Sequence, residues 1–267
     1  MNDPKQDELI KKVGLDTLPP GSPRKGVQIA WSNDLASSFL KAGGGSGATL
    51  IVDTARPEAP GEASWEWIWS TPKAPSARAQ LNVFVSSTGP ASARSRLLRL
   101  ATENMLPDVP YVHGPADLGE VSALFAVPPN FAHLIWAYQN VCLSLEVRDD
   151  ADVDVLAVAR AVDAALDQHV VTPIDPAIPR VDRVDLSATE VRVNEPLTVR
   201  IRMQGADPAR KYLVALHDRP ADVRVRDASL NLQVTADNPG TKALTILIVD
   251  ASTLLSTTVQ ATMIVKR

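Results

Sequence analysis

One cysteine, Cys142, occurs in 267 residues, and this excludes an intrachain disulfide and any zinc site built from several thiolates. The four histidines, His113, His133, His169 and His217, contain no i, i+3 or i+4 pair, so no local metal chelate can be read. There is no GxSxG turn, no HExxH and no paired acidic motif of the glycosidase kind, and no pattern asks for a cofactor. No apolar run is long enough for a membrane-spanning helix, and the opening MNDPKQDELIKK lacks the apolar centre of a signal peptide. The expected location is extracytoplasmic, periplasmic or at the cell surface, with a leader removed; a cytoplasmic protein is the alternative. Basic residues are outnumbered, 27 to 31, for a net charge of −4. That balance excludes the bulk electrostatic attraction by which strongly cationic proteins hold nucleic acid. The deficit is uneven: from Ile178 onward 13 basic side chains face 10 acidic ones.

The chain is 45% hydrophobic, enough for two cores rather than one. The expected organisation is an N-terminal arm over 1–26, an α+β domain over 27–171, a proline-rich linker over 172–180 and an all-β domain over 181–267. The linker VTPIDPAIPR places Pro173, Pro176 and Pro179 between regions of different character. Before it, ATLIVDTA, WEWIWS, AQLNVFVSS, VSALFAV, AHLIWAY and NVCLSLEVR read as strands. SNDLASSFLKA, GPASARSRLLRLATENML and DVDVLAVARAVDAALDQ carry helical spacing. Their sum is an antiparallel sheet with helices on one face.

After the linker come eight short alternating runs separated by turn residues, with no helical pattern. Over about ninety residues this resembles the disulfide-free bacterial immunoglobulin-like β-sandwich. The resemblance implies a spacer or recognition unit on an exported protein. In the first domain, DLGEVSALF, LIWAYQNVCLSLEV and DVDVLAVARAVDAAL are similar to a strand-strand-helix arrangement of bacterial envelope proteins and lipoproteins. Gly119 and Glu120 match the first turn of that arrangement, and Gln139 replaces the glycine before Asn140 in the second. That resemblance bears on compartment and carries no catalytic residue.

Four features invite a chemical reading. GGGSG, Gly43 to Gly47, is no phosphate cradle, because it follows a helix and precedes a strand; it reads as a helix C-cap and flexible connector. His113, Asp117 and Glu120 share one polar loop and are the only acid-base candidates, for a hydrolase acting at the domain junction. Arg200 and Arg202, and Arg224 and Arg226, alternate along two strands and could project from one face as a stripe for an acidic polymer. The competing reading is an ordinary wet face with Asp222 and Asp227 nearby.

The fourth feature is SWEWIWS, where alternation puts Trp65, Trp67 and Trp69 on one strand face. An exposed indole row would stack sugar rings; a buried one would anchor helices. Neighbouring strands decide between these. Val141, Leu143 and Leu145 form an apolar row, as do Leu81, Val83 and Val85, while Glu66 belongs with Asn82, Ser144 and Glu146 on the wetter side. The tryptophans are therefore expected in the core. The functional expectation is a non-enzymatic binding or interaction module of the bacterial cell envelope, with a protein or polysaccharide partner. A junction hydrolase and a tryptophan-based carbohydrate binder are the alternatives.

Overall fold

A computed structural model of the chain describes residues 29, 31–72, 77–103, 112–127, 131–148, 152–168, 180–204, 211–217, 219–221, 223–226 and 229–267, together with Glu8 and Lys11. The expected arm, His169 and most of the proline-rich linker lie outside these residues. The chain divides into two units, the first Met1–Ala55 with Ser64–Thr172, the second Arg56–Ala63 with Pro173–Arg267. Strands predominate, mostly in antiparallel sheets, with three helices of eight residues or more among the described residues.

The first unit is built on a seven-stranded sheet. Strands β1 (Thr49–Ala59), β2 (Glu62–Ser70) and β3 (Arg78–Ser86) run as a meander. A second group is formed by β4 (Val112–His113), β5 (Val121–Val127), β6 (Phe131–Tyr138) and β7 (Val141–Arg148). The spatial order is β1-β2-β3-β7-β6-β5-β4, so β3 and β7 join the two groups edge to edge. Helix α1 (Asn33–Ala42) precedes the sheet, α2 (Pro90–Glu103) connects β3 to β4, and α3 (Val155–Gln168) follows β7.

Local chemistry sets the helix ends. The Ser32 hydroxyl accepts the Leu35 N–H at 3.2 Å to cap α1, and the Asp154 carboxylate accepts the Leu156 and Ala157 N–H groups at 2.9 and 3.1 Å to cap α3. Pro90 opens α2, where a missing N–H costs nothing.

Residues that face one another across antiparallel strands share a side of the sheet, and this sorts the helices. Val83, Leu143 and Trp136 form one row, and Trp136 donates to Asp163 of α3. Phe84, Cys142 and Ala137 form the adjacent row on the opposite side, in one core with Ala93, Leu97 and Ala101 of α2. Helices therefore cover both faces, α1 and α3 on one and α2 on the other, instead of the single covered face expected. The reason is a side that is polar at one end only. Phe84, Phe125, Ile135, Ala137 and Cys142 make the other end apolar, and α2, which follows β3 directly, covers it.

The glycine run is also more constrained than a connector. Gly43 ends α1 with its N–H on the Leu40 carbonyl, the Gly45 N–H returns to the same carbonyl at 2.8 Å, and the Gly43 carbonyl accepts the Asp154 N–H at 2.7 Å. A Cβ on Gly43 would lie 2.5 Å from Val158 Cγ2 and 2.6 Å from the Asp154 carbonyl oxygen, in the capping turn of α3. Gly43→Ala is expected to cost about 1–3 kcal/mol, because a backbone contact cannot rotate away. Urea denaturation followed through tryptophan emission measures this; an unchanged midpoint would contradict the close approach.

In the second unit two sheets share one core. The four-stranded sheet has the order β13 (Arg224–Arg226), β14 (Ser229–Val234), β10 (Leu197–Gln204), β8 (Arg180–Leu186). The five-stranded sheet has the order β12 (Arg219–Ala221), β11 (Tyr212–Leu216), β15 (Gly240–Asp250), β16 (Ser256–Lys266), β9 (Glu190–Arg192). Leu197, Val199 and Ile201 from one sheet and Val214, Ile246 and Ile248 from the other meet in that core. All pairs are antiparallel except β16 with β9. The Gly61 N–H, from the connection between β1 and β2, donates to Ser256 Oγ at 3.1 Å within this unit.

Candidate anion-binding face

Each sequence candidate has a definite place. Trp65, Trp67 and Trp69 are buried, Trp67 to 1% exposure, and alternate along β2 with half-exposed Ser64, Glu66, Ile68 and Ser70. Trp69 donates from Nε1 to Ser37 Oγ of α1 at 3.2 Å, and Trp67 packs against Trp31, which meets Phe39 of α1 edge-on. On the other side Glu66 accepts from Gln80 at 2.9 Å and from Thr54 at 3.4 Å. The row is a seat for α1, and a face this enclosed offers no area for stacking a sugar ring.

His113, Asp117 and Glu120 do not converge. Asp117 pairs with Arg160 of α3 at 2.8 Å, whereas Glu120 pairs with Arg94 of α2 at 2.6 Å, and these helices lie on opposite sides of the sheet. His113 is exposed on β4. The Arg160 hydrogen bond holds the Asp117 carboxyl below the ordinary carboxylate range. A second polar group of α3 that reaches this loop is Asp163, which the sequence pattern did not single out. Its carboxylate accepts the Gly119 N–H at 3.3 Å and Trp136 Nε1 at 3.1 Å, tying the loop and β6 to the helix, and burial raises its pKa. Tyr138 and Asp167 form a second such tie.

A further cluster appears only when strands are paired. His133 stands opposite Glu146 across β6 and β7, and its Nε2 lies 2.8 Å from Ser144 Oγ. Serine, histidine and glutamate together suggest an activated nucleophile. The Ser144 side chain, however, sits mid-strand in a residue only 3% exposed, and His133 is as deeply enclosed. Burial, aided by the Arg148 charge and opposed by Glu146, lowers the His133 pKa to about 4, so the ring is neutral and the cluster is a hydrogen-bonded core element. Burial likewise pushes the Cys142 thiol up, away from the reactive thiolate.

The arginines are the candidates that the fold gathers. Along β10, Leu197, Val199, Ile201 and Met203 are buried while Arg200, Arg202 and Gln204 are exposed, so the arginines project from the outer side of the four-stranded sheet. Strand pairing places Arg200 between Asn231 and Asp185, with Arg224 beyond Asn231; Arg202 lies between Ser229 and Arg183, with Arg226 beyond Ser229. Two cross-strand rows result, and Arg183 joins them from β8 without having been singled out in the sequence. The one acidic residue in these rows, Asp185, contacts both Arg183 and, at 3.9 Å, Arg202. Arg202 remains 59% exposed, and Arg200 Nε donates to Asn231 Oδ1 at 3.3 Å, which braces the guanidinium without neutralising it. Asp222 and Asp227, the acidic neighbours weighed against this reading, lie outside the described residues.

No helix among the described residues is long and apolar enough to cross a membrane. No family model matches the chain, and no curated protein matches it. Among solved structures, the chain is similar to one described as a polysaccharide lyase, at 7% identity and a TM-score of 0.26 over 82% of this chain and 33% of that one. The chain thus spans about a third of that structure's length, and a TM-score so low supports no statement about fold or activity.

Proposed function

We propose that the chain is a non-enzymatic binding module of the bacterial cell envelope, and that it holds an anionic partner on the outer side of the four-stranded sheet. The observation that carries this reading is the strand register, which aligns arginines from β13, β10 and β8 in two adjacent rows with one aspartate among them. Arg202 and Arg183 stand directly opposite each other, a like-charge pair that is destabilising in itself and that an anion laid over it relieves.

The second unit is read as an immunoglobulin-like sandwich. In its support, β8, β10, β14 and β13 occupy the places of strands A, B, E and D, and β11, β15 and β16 those of C, F and G. Such a module favours recognition over catalysis, as do the enclosure of Ser144 and His133 and the pairing of Asp117 and Glu120 with opposite helices. The envelope location rests on the resemblances in both domains; fractionation of cells carrying the tagged full-length product tests it, and a purely cytosolic signal would contradict it.

Reversing two charges in Arg200→Glu/Arg202→Glu is expected to weaken binding to acidic polymers by more than about tenfold, with the fold retained at a small cost in thermal stability because position 200 stands opposite Asp185. Wild-type affinity should also fall as salt rises, since exposed charges are screened. Titration calorimetry of both proteins against one polymer reads this; equal affinities would remove the face from consideration.

A further inference from the structure

We infer that the anionic partner is a carboxylated polysaccharide, lying across the strands from β13 to β8; this rests on the anion-binding reading of the same face. Within a row, arginines two strands apart are separated by about 9.6 Å, and the two rows lie about 7 Å apart along the strands. Arg183 stands directly opposite Arg202, and the other arginine positions of the rows are set apart from one another. Between those positions stand neutral groups. Asn231 lies between Arg224 and Arg200 in register, and one step along, Gln233 Nε2 donates to Thr198 Oγ1, a half-exposed hydroxyl, at 2.8 Å.

Amides and hydroxyls interleaved with arginines match a ligand that alternates hydroxyls with carboxylates, which is the chemistry of a polymer containing uronic acid. Arginine is suited to the acid groups, because its planar fork takes a carboxylate through two parallel hydrogen bonds. The rows contain no aromatic residue, and single-stranded nucleic acid depends on aromatic stacking for much of its binding energy. The chain direction follows from the same geometry: the arginines align across strands, while each row ends at β8 where Asp185 offsets the charge.

The test uses the full chain with polygalacturonate, its fully methyl-esterified form, dextran sulfate and polyglutamate at one ionic strength. The expected result is binding to polygalacturonate that esterification weakens roughly tenfold or more, since each lost charge-assisted bond is worth a factor of that order. Arg200→Lys/Arg202→Lys, which keeps the charge and removes the forks, should also bind polygalacturonate more weakly. Dextran sulfate or polyglutamate binding as tightly as polygalacturonate, or a lysine variant binding like wild type, would overturn the carboxylated-polysaccharide assignment and leave an anion-binding face standing. Binding to none of the four polymers would overturn the reading of the face itself.

Discussion

Trp67→Ala is expected to destabilise the first unit by about 3–5 kcal/mol, the range for truncating a large enclosed aromatic side chain. The residue is 1% exposed, in the middle of the row on which α1 rests, and its ring packs against Trp31. Trp67→Phe should cost much less, because the Trp67 indole N–H has no hydrogen-bond partner to lose. Trp69→Phe removes the bond to Ser37 and should fall between the two. All five tryptophans belong to the first unit, so their emission reports on that unit alone during urea unfolding. A loss below about 1 kcal/mol in Trp67→Ala would mean that the row is not a core element. The same placement separates two modes of ligand binding: a ligand on the arginine face should leave tryptophan emission unchanged, whereas one stacking on the indoles would quench it.

Acidification should weaken the first unit through His133. Its folded-state pKa is about 4 against an ordinary 6.5, so between these values the unfolded chain takes up a proton that the folded chain refuses. The stabilising contribution is fully present above pH 6.5, declines as pH falls and is exhausted near pH 4. A depression of that size corresponds to about 3 kcal/mol. Asp163 acts in the opposite sense, since its raised pKa means that the folded state holds a proton more readily, adding stability at acid pH and losing it as pH rises. The net fall is therefore expected to be smaller than the histidine alone would give. In His133→Gln, which retains a hydrogen-bonding group for Ser144, the decline between pH 6.5 and 4 should largely vanish. Urea midpoints at several pH values measure both; equal slopes in wild type and variant would assign the effect elsewhere.

Much of the strand pattern was legible because period-2 alternation survives in single segments. WEWIWS, LNVFVSS and NVCLSLEV each reveal their two sides, and comparing the rows placed Glu66 opposite the tryptophans before any pairing was known. Information held between segments was not legible. Phe84 and Cys142 look like isolated apolar residues on a polar side, and only the pairing of β3, β7 and β6 makes them, with Ala137, a patch requiring a helix. Two short strands, Val112–His113 and Arg219–Ala221, are below the length at which alternation can be recognised. Spacing showed that Arg200 and Arg202 share a side, but not that the register would set them level with Arg224, Arg226 and Arg183. The loop residues His113, Asp117 and Glu120 are close in sequence, yet turns of a few residues are enough to send Asp117 and Glu120 to opposite sides of one sheet.

The central claim is binding without chemistry on the arginine face, and one mixture addresses both halves. Purified protein is incubated with polygalacturonate at low salt, and bound fraction and polymer chain length are read from the same samples over time. Saturable binding that is lost in Arg200→Glu/Arg202→Glu, with chain length constant throughout, is the expected result. Progressive shortening of the polymer by wild-type protein, or binding that the charge reversals leave intact, would contradict it.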